Sequence, residues 1–125
     1  MLFDTDILIW VQRKNLAAAR LIDAAEQRFI SIATSLELIQ GARNRRDAEV
    51  YRSFIREFGF TILPLTENIG HRALVYMEEY SLAHSLGAMD AIIAATAVEN
   101  GLVLCSSNRK HYKAIKDLRF KEFKP

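Results

Sequence analysis

The chain has 125 residues, 50% of them hydrophobic and 26% charged, with a formal net charge of +2. Such a length and apolar content suit one domain over residues 1–125 with a real core, and they exclude a disordered or low-complexity chain. The mild basicity, with a pI near 8.8, permits an anionic partner without demanding one, and the single cysteine, Cys105, excludes an intramolecular disulfide.

The opening Met1-Leu2-Phe3-Asp4 is apolar up to its fourth residue. It has no h-region, so no signal peptide is expected. No apolar run approaches the ~18 residues of a spanning helix, and the expected compartment is the cytoplasm. Leu2-Phe3 predicts a short strand ending at Asp4-Thr5-Asp6. Ile7, Leu8, Trp10 and Val11 then recur at helical spacing. Residues Leu16–Gln27 are alanine-rich and predict a helix, and Phe29-Ile30 a short strand. A helix is expected from about Ala33 to Gln40, with Gly41 as its C-terminal cap. A charged helix follows from about Arg46 to Phe58, punctuated by Gly59, and Phe60–Leu63 predicts a strand. Thr66 can cap the long helix that carries Arg72, Leu74, Tyr76 and Met77. Ala88–Asn100 predicts a helix closed by Gly101, Leu102–Leu104 a buried strand, and a short helix and a strand near Arg119-Phe120 finish the chain. Strands alternating with helices imply an α/β fold with a mostly parallel sheet covered on both faces. Ligands of such sheets sit beyond the carboxyl ends of the strands.

Four polar residues interrupt this apolar plan: Asp4 after the first strand, Glu37 between Leu36 and Leu38, Asp90 in Leu86–Ala95, and Asn108 after Ser106-Ser107. Each has a structural role open to it. Asp4 can cap a helix. Thr34-Ser35-Leu36-Glu37 fits a capping box in which Glu37 only closes the helix start. Asp90 can favour a helix dipole, and Asn108 can form a turn. Asp90 leans towards function, because a lone carboxylate in so apolar a helix is costly to bury unpaired. Taken together, Asp4 and Asn108 follow strands that a parallel sheet brings to one edge, and helices starting there can add Glu37 and Asp90. Oxygen ligands without partner cations repel one another, which a hard divalent ion such as Mg²⁺ or Mn²⁺ resolves. His71, His84, His111 and Cys105 show no zinc-ligand spacing, and the histidines read as surface or helix residues.

These segments resemble the motifs of the PIN-domain ribonucleases, and in particular the VapC toxins of bacterial and archaeal toxin–antitoxin pairs. Asp4-Thr5-Asp6 is similar to the first motif, Ser31–Leu38 with Glu37 to the second, Gly87–Ala97 around Asp90 to the third, and Leu104–Tyr112 to the fourth. The resemblance runs from the first residues to about Leu118. It implies a three-layer α/β/α sandwich and a Mg²⁺-dependent endoribonuclease, with Mn²⁺ able to substitute. It implies Asp4, Glu37, Asp90 and Asn108 as the catalytic set, with Asp4, Asp90 and Glu37 as metal ligands, and Asp6 and Ser106 as residues that orient them. The usual partners of the family are an RNA substrate, a cognate antitoxin and a second copy of the chain. Two positions depart from the pattern. Ser106 stands where threonine is common, and Asn108 stands where many members carry aspartate, which weakens any second metal site because an amide is neutral.

Arg43, Arg45 and Arg46 follow the Glu37 helix, and Arg109 and Lys110 follow Asn108. They are candidates for phosphate contacts that position RNA without reading bases, although Asp47 and Glu49 balance the first group as a solvated face would. Trp10, Phe54 and Tyr76 read as core first and as interface second. Two other functions stay open at the level of sequence. One is a small haloacid-dehalogenase-like phosphatase with Asp4 as nucleophile and Asp6 as acid, against which Ile7-Leu8 replaces the usual Gly-Thr. The other is a non-catalytic module of the same fold that binds RNA or protein.

Overall fold

Leu2 and Phe3 are both fully buried, one on each face of the sheet, because successive side chains of a strand point to opposite sides. That two-residue strand, β1, lies at the centre of the computed structural model, which describes residues 1–125. The other strands are β2 (Phe29–Ser31), β3 (Thr61–Leu63), β4 (Leu104–Ser106) and β5 (Phe120–Glu122). They form one sheet in the order β3-β2-β1-β4-β5, and every pairing is parallel.

Parallel neighbours need crossover connections, and the helices supply them on both faces. On the Phe3 face, α1 (Thr5–Gln12), α2 (Leu16–Ala24) and α4 (Arg45–Glu57) bury Ile7, Leu8, Ala18, Ile22, Tyr51 and Ile55. On the Leu2 face, α5 (Glu67–His84), α6 (Ala88–Glu99) and α7 (Arg109–Tyr112) bury Ile69, Tyr76, Ile93 and Tyr112. Helix α3 (Ile32–Gln40) touches both layers, with Ala33 in one and Leu38 against the other. The expected α/β/α sandwich is therefore present, and its sheet is wholly parallel. No helix is long and apolar enough to cross a membrane. Tyr76 is core, as expected, while Trp10 and Phe54 are half-buried against it.

The chain leaves β1 towards β2 on one side and later returns to place β4 on the other. This is the switch point at which open α/β sheets hold their ligands. Asp4 and the residues after Ser106 lie just beyond it.

Several boundaries differ from expectation. Helix α2 stops at Ala24 instead of Gln27, because Arg28 turns back and donates to the carbonyls of Ala25 and Asp23, and across to that of Phe58 at 2.7 Å. Helix α3 starts at Ile32, capped by Ser31, whose hydroxyl accepts from the Ala33 N–H at 3.0 Å. Thr34 is thus inside the helix and Glu37 lies past its first turn, so the capping box at 34–37 does not form. Gly41 follows α3 in a right-handed conformation (φ −77°, ψ −8°), so nothing there requires glycine's left-handed freedom. Strand β4 is Leu104–Ser106, not Leu102–Leu104. Gly101 adopts φ +63° and the Leu102 N–H closes back on the Ala97 carbonyl at 2.9 Å, so Leu102 still belongs to the helix exit. The shift puts Ser106 inside the strand, fully buried. Thr66 caps α5 as expected, accepting from the Ile69 N–H.

Candidate active site

Asp4 follows β1 directly and caps α1, its Oδ1 accepting the Thr5 N–H at 2.8 Å. Its Oδ2 accepts two hydroxyls, Ser106 at 2.7 Å and Tyr112 at 3.1 Å. The residue is 3% exposed. Burial, followed by the nearby Asp6 carboxylate, pushes the Asp4 carboxyl up to about 7; Asp90 adds to the rise, while the Ser106 hydroxyl and Thr5 N–H oppose it.

Asp90 is the third residue of α6. Its Oδ2 accepts the Gly87 N–H at 3.2 Å and lies 3.3 Å from His111 Nδ1. A Cβ added at Gly87 would stand 3.3 Å from that same oxygen, so the turn leaves the carboxylate little spare room. Oδ1 lies 3.3 Å from the Tyr112 hydroxyl. One buried phenol oxygen thus touches Asp4 and Asp90 together. Both structural roles open to these aspartates, capping and helix-start contact, are realised alongside this meeting.

Asp6 turns to the loop after β4. Its Oδ2 accepts the Ser107 N–H at 2.9 Å and forms a short bond with the Ser107 hydroxyl. Ser106 in turn accepts the Asn108 N–H at 3.0 Å. Asn108 caps α7 through its backbone, and its side chain makes no capping bond. Glu37 joins one step removed. Its Oε1 accepts the Thr5 hydroxyl at 2.7 Å, and Thr5 Oγ1 is 3.0 Å from that of buried Thr34.

The fold therefore brings Asp4, Asp6, Asp90 and Ser106 into one hydrogen-bonded group, links Glu37 to it through Thr5, and reaches Asn108 by backbone alone. Sequence reasoning misses three members. Tyr112 and His111 lie in the fourth motif segment with nothing local to mark a role, and His111 is not a plain surface residue. Its Nδ1 is buried, hydrogen-bonds to nothing and faces Asp90. Thr5, the link to Glu37, is the third.

No group of three His, Cys, Asp or Glu side chains is set closely enough to hold an ion by itself. The donors where Asp4 and Asp90 meet are nevertheless oxygens, with the unpartnered Nδ1 of His111 beside Asp90 as the one nitrogen. The only cationic side chain paired with Asp4, Asp6 or Asp90 is His111, and then only if protonated. Such a set fits a hydrated Mg²⁺ or Mn²⁺ ion, which takes one or two carboxylates and keeps several waters. It does not suit zinc, which wants a closed nitrogen and sulfur shell.

A cleft of about 380 Å³ runs from Thr5 and Glu37 past Leu38 to Tyr51 and Asp47. Arg43, Arg45 and Arg46 do not line it, and Arg43 reaches it only through the lining residue Asp47. Arg43 is committed to Asp47, Nε to Oδ2 at 2.9 Å, while Arg45 and Arg46 are exposed and form no ion pair. Arg109 and Lys110 are exposed on the first turn of α7, next to Asn108. A larger cleft of about 580 Å³ lies along α5, where Arg72 bridges Glu99 at 2.5 Å and Asp117 at 2.8 Å; it shares no residue with the acidic group.

The sequence profile of the PIN domain matches residues 1–117. A toxin–antitoxin complex from Klebsiella pneumoniae contains a chain 29% identical to this one, with 98% of each chain covered and a TM-score of 0.78. The chain also superposes on DNA-bound VapBC from Salmonella typhimurium at TM-score 0.81 and 23% identity, covering 97% of this chain and 96% of that one. For VapBC-1 from nontypeable Haemophilus influenzae the TM-score is 0.75, at 23% identity, 97% and 96% covered. No curated protein gives a significant match to the sequence.

Proposed function

The chain belongs to the PIN-domain family, and from that premise we propose that it is a divalent-metal-dependent endoribonuclease serving as the toxin of a toxin–antitoxin pair. The observation that carries this reading is the meeting of Asp4 and Asp90 at the sheet's switch point, with the buried carboxylate of Asp4 uncompensated by any Lys or Arg. Asp4 and Asp90 are the residues that would hold Mg²⁺ or Mn²⁺, with Glu37 and Asn108 contributing at the margin. A divalent ion bound there supplies acidification of water and neutralisation of charge on the scissile phosphate.

The remaining work falls to the chain's own side chains. Ser106 orients Asp4 through its 2.7 Å bond, and Asp6 fixes Ser107 in the loop that leads from β4 to Asn108. Thr5 holds Glu37 towards the same corner. In the reaction a water oxygen bonds to phosphorus in line as the bond from phosphorus to O3′ breaks, leaving 5′-phosphate and 3′-hydroxyl ends. A carboxylate of the group takes the proton the water gives up, and O3′ gains one from solvent. Arg45, Arg46, Arg109 and Lys110, with Arg43 if it leaves Asp47, would position RNA by its phosphates.

The partner is an antitoxin, by likeness to the toxin–antitoxin complex from Klebsiella pneumoniae, and the protein acts in the cytoplasm as a homodimer. The phosphatase reading has no support in the site. Asp4 is buried under two hydroxyls and Asp6 is occupied by Ser107, so neither is poised as nucleophile or acid.

The deciding experiment is cleavage of total cellular RNA by the purified chain with Mg²⁺ or Mn²⁺, with EDTA, and with Asp90→Asn. Discrete fragments that require both the metal and Asp90 are expected, with the variant's circular dichroism unchanged. Full activity of Asp90→Asn would overturn the assignment, and intact RNA with folded, antitoxin-free protein would favour the non-catalytic binding module.

A further inference from the structure

Tyr112 is 1% exposed. A buried phenol seeks one partner for its hydroxyl, and this one has two, Asp4 Oδ2 at 3.1 Å and Asp90 Oδ1 at 3.3 Å. The three groups come from β1's end, α6 and α7, so no local sequence constraint brings them together. The hydroxyl has a single proton, shared between two acceptors. It is the only hydrogen-bond donor common to both carboxylates.

Two carboxylates this close repel each other, and a donor between them offsets part of that repulsion. The ring is held from behind by Phe120, with centroids 5.8 Å apart, and His111 packs beside it. The ring thus packs on aromatic neighbours, while the hydroxyl is directed by its own two hydrogen bonds. Asp90 gains a second restraint from the Gly87 N–H, and Asp4 from Ser106 and Thr5.

We propose that Tyr112 is the positioning residue of the metal centre, its hydroxyl setting Asp4 and Asp90 in the arrangement that receives the divalent ion. This rests on the metal-dependent reading above. Partners that orient ligands in this way are worth about 10–100-fold in metal affinity.

The test is titration of the purified full chain with Mn²⁺, free Mn²⁺ being followed by electron paramagnetic resonance. Tyr112→Phe removes only the hydroxyl. Its Mn²⁺ affinity is expected to fall by about tenfold or more, while the EDTA-treated protein keeps the parent's circular dichroism and a cooperative thermal transition. Phe120→Leu loosens the ring's support but keeps the hydroxyl, and should stay within a few-fold of the parent. Equal affinity in Tyr112→Phe and the parent overturns the proposal. An equal loss in both variants also overturns it, since packing rather than the hydroxyl would then set the site. Absence of Mn²⁺ binding by the parent chain would instead sink the metal-dependent reading itself.

Discussion

Burial, with Asp6 and then Asp90 nearby, raises the Asp4 carboxyl to about 7 from an ordinary value of 3.8. The native state thus holds this proton more tightly than the unfolded chain does. Its stabilising effect is complete below about 3.8 and is lost as pH rises through about 7. The difference amounts to roughly 4 kcal/mol across that window. In EDTA, the parent should therefore lose stability relative to Asp4→Asn between pH 5 and 7, by about 1.4 kcal/mol for each pH step. Denaturant melts of both proteins from pH 5 to 8 check this, and parallel curves would refute it. An amide at this position keeps an acceptor for the hydroxyls of Ser106 and Tyr112. At this scale the acidic residues were legible because charges in apolar runs stand out. Tyr112 was not. Its partner Asp4 lies 108 residues away, and a tyrosine in a short segment without periodicity reads as core.

Helix α6 owes its place to small side chains. Ala91, Ala94, Ala95 and Ala97 are all fully buried, which lets α6 pack closely on α5 and the sheet. Ala94→Leu should cost about 1–3 kcal/mol by overpacking. A lowered denaturant midpoint at unchanged m-value would show it, and an unchanged midpoint would mean the layer has slack. The existence of α6 was plain from its alanine and isoleucine run and from Gly101. The start of β4 was not, because Leu102-Val103-Leu104 suits both a strand and a helix exit, and only the Leu102 bond to Ala97 decides between them. The early end of α2 was hidden for a similar reason. Arg28 finds the Phe58 carbonyl 30 residues ahead, an interaction no local pattern contains. Ser31 and Thr34 are both cap-forming residues, and the choice fell to the buried position of Ser31 at the end of β2.

Over the whole molecule the charges are nearly balanced, at +2, so the affinity for RNA that the proposed function requires has to come from local groups. Arg109→Ala with Lys110→Ala should weaken RNA binding across sequences. The salt slope should fall by about one for each phosphate that no longer meets a cation, and by about two if both residues engage one. Binding by the Asp90→Asn variant, measured from 50 to 200 mM salt, checks this without cleavage. An unchanged slope would return both residues to the solvated surface. The alternating plan of strands and helices was visible in the sequence and led to the carboxyl edge of the sheet. The strand order was not, since nothing local says that β4 pairs with β1.

That pairing bears on when the protein can act. Leu2 lies beside Leu104, and Asp4 waits for Ser106 and Tyr112. These pairings span most of the chain, and closing contacts so distant in sequence slows folding. Synthesis runs from the amino end, so Asp4 is made while its partners Ser106 and Tyr112 are still missing. A nascent chain that has not yet reached Ser106 and Tyr112 therefore carries no assembled acidic group, and whatever chemistry the group performs starts only after both have joined Asp4.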